Sequence, residues 1–178
     1  MLKAATSPTL PSSIKPIAGA NVDAADFAAR YGGLRDGCRG CPHFEAQWSC
    51  PPFHNGSNPY EDALAEMPGA RLHLLAFETT DADTASARRT IDKAVLAMET
   101  QGSLAFTSGP CALCHPAACA RSQGKACRHG AAMRTSLQAC GLNLARAASD
   151  ILGINLSWQP GSKTIFIAAL LIPQKTKS

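Results

Sequence analysis

Residues 71–107, RLHLLAFETTDADTASARRTIDKAVLAMETQGSLAFT, carry the pattern from which the fold is read. Arg71-Leu-His-Leu-Leu-Ala-Phe77 is a short, mostly apolar run and reads as a buried strand. From Thr84 to Gln101 the apolar residues Ala87, Ile91, Ala94, Val95 and Met98 recur on one side of a 3.6-residue repeat, which predicts an amphipathic helix. Ser103-Leu-Ala-Phe-Thr107 predicts a second short strand, so the stretch is a candidate βαβ unit.

Downstream, a helix is expected near Thr135 to Cys140. Another is expected from Asn143, burying Leu144, Ala147, Ala148, Ile151 and Leu152 and stopping at Gly153. Ile154 to Trp158 and Thr164 to Ile172 read as two closing strands joined by a Pro160-Gly161 turn. Upstream, Asp23 is placed to cap a short helix through Tyr31 that ends at Gly32-Gly33. Residues 1–20, with Pro11, Pro16 and several Ser and Thr, read as a flexible lead-in, leaving 21–178 as a single cysteine-rich domain. The expected class is α/β in the broad sense (α+β): a mixed sheet of about four strands with packed helices, and metal-binding cysteine loops at one end.

Composition narrows the function classes. The chain has 178 residues, 46% of them hydrophobic and 17% charged, as expected for one domain with its own core. The net charge is +4, and the Lys and Arg are scattered apart from Arg88-Arg89 and the tail residues Lys175 and Lys177. No nucleic-acid partner is expected from such a pattern. Pro and Ser interrupt the N-terminal segment, unlike a secretory signal, and the apolar run from Ile165 to Ile172 is too short to span a bilayer. The expectation is no membrane partner and a cytoplasmic location, where thiols stay reduced. The eight cysteines then need a use other than disulfides.

Seven of them form two sets. Cys111, Cys114, Cys119 and Cys127 follow the spacing C-x2-C-x4-C-x7-C, and four thiolates suffice for a [4Fe–4S] cluster or a tetrahedral zinc. Gly109-Pro110 and Gly124 permit the bends, and Arg121, Lys125 and Arg128 place positive charge beside the thiols, which favours thiolate. Cys38, Cys41 and Cys50 follow C-x2-C-x8-C. Three sulfurs can hold a cluster with one open iron, or take a fourth ligand from His43, His54 or a distant residue. Pro42, Pro51, Pro52 and Pro59 deny the 38–60 segment a regular helix or central strand. Cys140 stands alone and reads as a small buried apolar residue. His115 and His129 lie near the second set, and His73 within a strand; each reads as a loop, edge or core histidine. Trp48 is expected to cover the site. A thioredoxin-type dithiol would leave most of the cysteines unexplained. Iron–sulfur is placed ahead of zinc, although ligand softness does not separate them. No Walker loop, G-x-G-x-x-G or Ser-His-Asp arrangement appears.

Cys38-x2-Cys41, Trp48-Ser49-Cys50-Pro51-Pro52, Gly109-x-Cys111-x2-Cys114 and Gly124-Lys125-x-Cys127-Arg128 together resemble a family of cysteine-rich proteins of unknown function, DUF2284. Ser136-Leu-Gln-Ala-Cys140-Gly-Leu142 is similar to its Ser-x-Glu-Ala-x-Gly-Ile stretch, with Gln138 where an acid is common. The interval from Cys114 to Cys119 is longer here, and His129-Gly130 follows the Cys-Arg pair. The resemblance runs from about Asp36 to the C-terminus. It implies metal binding, with iron–sulfur the expected form, and no particular reaction. The leading expectation is a protein with one [4Fe–4S] cluster, or two, serving in electron transfer or as accessory to a redox enzyme, a role compatible with a redox partner protein. The alternatives are an enzyme using an open-iron cluster and a zinc-stabilised interaction module. Whether the protein is an enzyme, and its oligomeric state, stay open.

Overall fold

The computed structural model describes residues 10–156 and 163–174. Strands β1 (Ile14–Asp23), β2 (Arg71–Thr79), β3 (Leu104–Phe106) and β4 (Thr164–Ile172) form one sheet in the order β1-β2-β4-β3. Every neighbouring pair is antiparallel, where a mixed sheet was expected. Because β2 and β3 both run against β4, they are parallel to each other. The helix between them, α3 (Thr84–Ala97), is therefore the crossover of a βαβ unit split by β4. The reason lies in β4 itself. Ile167, Ala169 and Leu171 bury one side of it and Ala168 and Leu170 the other, so it belongs inside the sheet rather than at an edge.

The edges fall to the short β3 and to β1, and most residues of β1 are exposed or half-buried. It begins at Ile14, inside the stretch expected as a flexible lead-in. Pro16 lacks the N–H a central strand needs, but an edge tolerates it, and the register shifts between Pro16 and Ala18 to pass it. The fourth strand is thus β1 and not the expected Ile154–Trp158. Residues 154–156 carry no strand, while Trp158 and the Pro160-Gly161 turn lie outside the described residues.

Helices cover both faces. α3 sets Ile91 and Val95 against Phe77, Ala168 and Leu170. On the other face lie α1 (Ala24–Tyr31), α2 (Pro59–Glu66) and α4 (Leu144–Ala147), the last continuing as a wider π turn through Ala148–Leu152. Each cap explains its helix. The Asp23 carboxylate accepts from the N–H of Ala25 and of Asp26, both at 3.0 Å. Asn143 caps α4, and Gly153, with φ 67°, stops the π turn. α2 was not expected, because Pro59 reads as a breaker; here it occupies the first turn behind the Asn58 cap, where no N–H is needed.

The helix expected near Thr135 to Cys140 is a turn. The Thr135 hydroxyl is committed to the Ser49 carbonyl and the Ser136 hydroxyl accepts from the N–H of Ala139, so both side chains compete with a helical ladder. Gly141, at φ 83°, then reverses the chain. Among the described residues, no helix is long and apolar enough to cross a membrane.

Candidate metal centre

Cys111 follows β3 by a few residues, and from there the chain folds around a cavity of about 230 Å³. All four cysteines of the second set, Cys111, Cys114, Cys119 and Cys127, line it, along with His43, Trp48, His115 and His129. Short turns rather than a helix or strand present these thiols. His115 N–H bonds the Ala112 carbonyl, a 3₁₀ turn spans Ala120–Gln123, and Gly124 adopts φ 65° to close it. The N–H of His129 points at the Cys127 sulfur, 3.4 Å away. Burial pushes the Cys111 thiol above its ordinary pKa, and the nearby Cys127 and Cys114 add to the rise.

What orders these turns is the first cysteine segment. Ser49, fully buried, accepts the Cys111 N–H on its hydroxyl at 2.9 Å and the Thr135 hydroxyl on its carbonyl at 2.7 Å. The Arg121 guanidinium donates to the carbonyls of Gln47, Cys50 and Pro52, all at 2.7–2.8 Å, and lies over the Trp48 ring. Trp48 in turn donates its indole N–H to the Lys125 carbonyl at 3.0 Å. The Trp-Ser-Cys-Pro-Pro element is therefore a clamp between the two cysteine segments, and Trp48 lines the cavity as expected of a cover. Arg121 was expected to sit beside thiolates of its own segment. Its fork is spent instead on the backbone of the other segment, where it faces Cys50.

A second support comes from α3. Asp92 accepts the N–H and hydroxyl of Ser108 at 2.8 and 2.7 Å and pairs with Arg88 at 3.1 Å. Arg88 also donates to the Pro110 carbonyl at 2.6 Å. From the sequence, none of Ser49, Thr135, Arg88 and Asp92 was given a part in holding the site. The i,i+4 spacing of Arg88 and Asp92 was a legible signal for a pair, though not for its target.

The first set lies elsewhere in the same assembly of loops. Cys41 is exposed, Cys38 half-buried and Cys50 8% exposed. Burial pushes the Cys50 thiol up to about 11, and the charges of Cys41 and Cys38 act on it in the same direction. The Cys38 thiol also rises, through burial and then Cys41, and lies 3.9 Å from the Gln138 carbonyl. Cys140, read as a lone apolar residue, is indeed buried in the core at 6% exposure, yet it is not isolated. Burial pushes its thiol up to about 12, and Asn58 donates to its carbonyl at 3.0 Å. His54 meets Trp48 edge-on and His43 bonds Gln47.

Among the described residues, no three His, Cys, Asp or Glu side chains already stand in the array of a single bound ion. The donor chemistry nevertheless fits a thiolate-held group, with four soft sulfurs around one cavity and a backbone N–H aimed at one of them. A family model described as "Predicted metal-binding protein (DUF2284)" matches residues 30–172. No curated protein matches the chain, and no solved structure does.

Proposed function

The chain belongs to the DUF2284 family of predicted metal-binding proteins, and from that premise we propose that Cys111, Cys114, Cys119 and Cys127 hold a [4Fe–4S] cluster for electron transfer or in support of a redox enzyme. The observation that carries this reading is the shared cavity: four thiols open onto about 230 Å³. A tetrahedral zinc with sulfurs about 2.3 Å away draws its four ligands to within about 4 Å of one another. Four thiols around one cavity also suit a cluster, each thiolate meeting a different metal atom, and that is the form we favour.

Bound there, the cluster supplies one-electron chemistry. The protein's own residues set its surroundings. The His129 N–H donates to the Cys127 sulfur and so favours the more negative, reduced state. Trp48, held by Arg121 and Lys125, covers the cavity and limits water. Leu113, 38% exposed between Cys111 and Cys114, offers an apolar contact to a redox partner beside the ligands. A reducing compartment such as the cytoplasm keeps the thiols available for metal.

The test is protein purified without air, with metal, sulfide and visible absorption measured together. The expected result is a brown protein with at least about four iron and four sulfide per chain, bleached by dithionite. Colourless protein with tightly bound zinc would overturn the reading in favour of a zinc-stabilised module.

A further inference from the structure

We infer that a second cavity, walled on one side by α3 and on the other by the turn through Cys111, binds a small organic carboxylate, with Arg89 and Lys93 as its counter-charges. The site is independent of what the neighbouring thiols hold.

The cavity measures about 270 Å³. That is close to the lower bound of about 300 Å³ for ligand clefts, so its occupant is small. Arg89, Lys93 and Leu96 stand at the i, i+4, i+7 spacing that puts side chains on one face of α3. Leu96, Ala112 and Ala132 supply an apolar wall. The thiol cavity next door shares Arg89 and Cys111 with it, whereas Lys93 is not on the thiol cavity's wall.

Charge in this cavity is unbalanced. Asp92 is the one acid lining it, and its carboxylate is committed to Ser108 and Arg88. The Arg134 guanidinium is also spent, holding both oxygens of Glu99 and the carbonyls of Ala131 and Met133. The side chains of Arg89, half-buried, and Lys93, exposed, make no ion pair or hydrogen bond among the described residues. Like charges four residues apart work against a helix, and an anion seated between them reverses that effect. The Arg89 fork matches the two oxygens of a carboxylate, and the apolar wall takes the body that carries it. Inorganic phosphate offers that wall nothing.

The experiment is calorimetric titration of full-length protein, purified without air, with benzoate, its uncharged analogue benzamide, and inorganic phosphate at constant ionic strength. Wild type is compared with Arg89→Gln, Lys93→Gln and Lys15→Gln, the last making the same charge change on β1. Iron is counted in every sample, and circular dichroism checks that each variant is folded. The expected result is saturable binding of benzoate, with benzamide and phosphate at least about tenfold weaker. Arg89→Gln is expected to weaken benzoate about tenfold and Lys93→Gln several-fold, while Lys15→Gln leaves it unchanged. Benzamide or phosphate binding as tightly as benzoate would overturn the carboxylate assignment. Benzoate binding unaffected by Lys93→Gln would overturn the paired role, since Arg89 alone also borders the thiols. No saturable binding of benzoate would overturn the site and leave Arg89 and Lys93 as a solvated helix face. Benzoate bound by protein without iron would uphold this site while the cluster reading fails, and iron-loaded protein that ignores benzoate would do the reverse.

Discussion

At the scale of single residues, Ser49 has the largest structural role for its size. Its hydroxyl satisfies the N–H of Cys111 and its carbonyl satisfies Thr135, so it ties both ends of the second cysteine segment to the first. Ser49→Ala leaves the part-buried Cys111 N–H without a partner, at a cost of about 1–3 kcal/mol. The expected outcome is a lower denaturation midpoint and looser metal retention, with the fold intact by circular dichroism. An unchanged midpoint would mean that water replaces the hydroxyl. The sequence shows Ser49 inside a recognisable Trp-Ser-Cys-Pro-Pro element, but its partners stand 62 and 86 residues away, and no local pattern encodes such distances. The same limit hid Cys140. Judged by its neighbours in sequence it is isolated; in space its turn is bonded to the first cysteine segment, the Gly141 carbonyl accepting from the Leu34 N–H and the Gln138 carbonyl lying 3.9 Å from the Cys38 sulfur.

At the scale of elements, periodicity and caps made β2, α1, α3, β3, α4 and β4 legible, since each shows its signal within one short window. β1 and α2 escaped because each contains or begins with a proline whose acceptability depends on context: an edge position for Pro16, a first turn for Pro59. α3 also acts beyond its own face, gripping the segment before Cys111 through Arg88 and Asp92. Gly109 is the close approach that allows this, because a Cβ there would lie 2.9 Å from Cδ of Arg88. Arg88 cannot swing aside without releasing the Pro110 carbonyl and Asp92. Gly109→Ala is therefore expected to displace Cys111 and lower iron occupancy while leaving Cys38, Cys41 and Cys50 reactive as before, a contrast that anaerobic alkylation with mass spectrometry reads directly. Asp92 adds a pH signature. Burial raises its carboxyl above the ordinary 3.8 despite Ser108 and Arg88, so its native form holds the proton more tightly than the unfolded chain does. Its contribution to stability is complete below pH 3.8 and is lost as pH rises through the raised value. Over that acid window the wild type is expected to lose ground against Asp92→Asn in denaturation midpoints; parallel profiles would show that Arg88 cancels the burial.

At the scale of the molecule, two kinds of order are joined. The sheet and the helices on its faces are held by ladders of backbone hydrogen bonds and two apolar clusters, one on each face. The cysteine segments have no such ladder and rely on a few long-range contacts: Ser49, Trp48, Arg121, and Arg88 with Asp92. Metal binding to thiolates is therefore expected to add stability unevenly. Thiolate ligation displaces protons, and burial has raised the thiols of Cys38, Cys50 and Cys111, so apparent metal affinity is expected to increase with pH across the neutral range. The gain falls mainly on the loops, because only they lose an anchor when metal leaves. Hydrogen exchange on loaded and chelator-treated protein, compared without air, separates the two kinds of order. Peptides covering 38–56 and 111–130 are expected to exchange many-fold faster after chelation, whereas those covering β2 and β4 keep their protection. Equal acceleration everywhere would mean that metal and core fold as one unit, and the sheet would then depend on the cysteines as strongly as they depend on it.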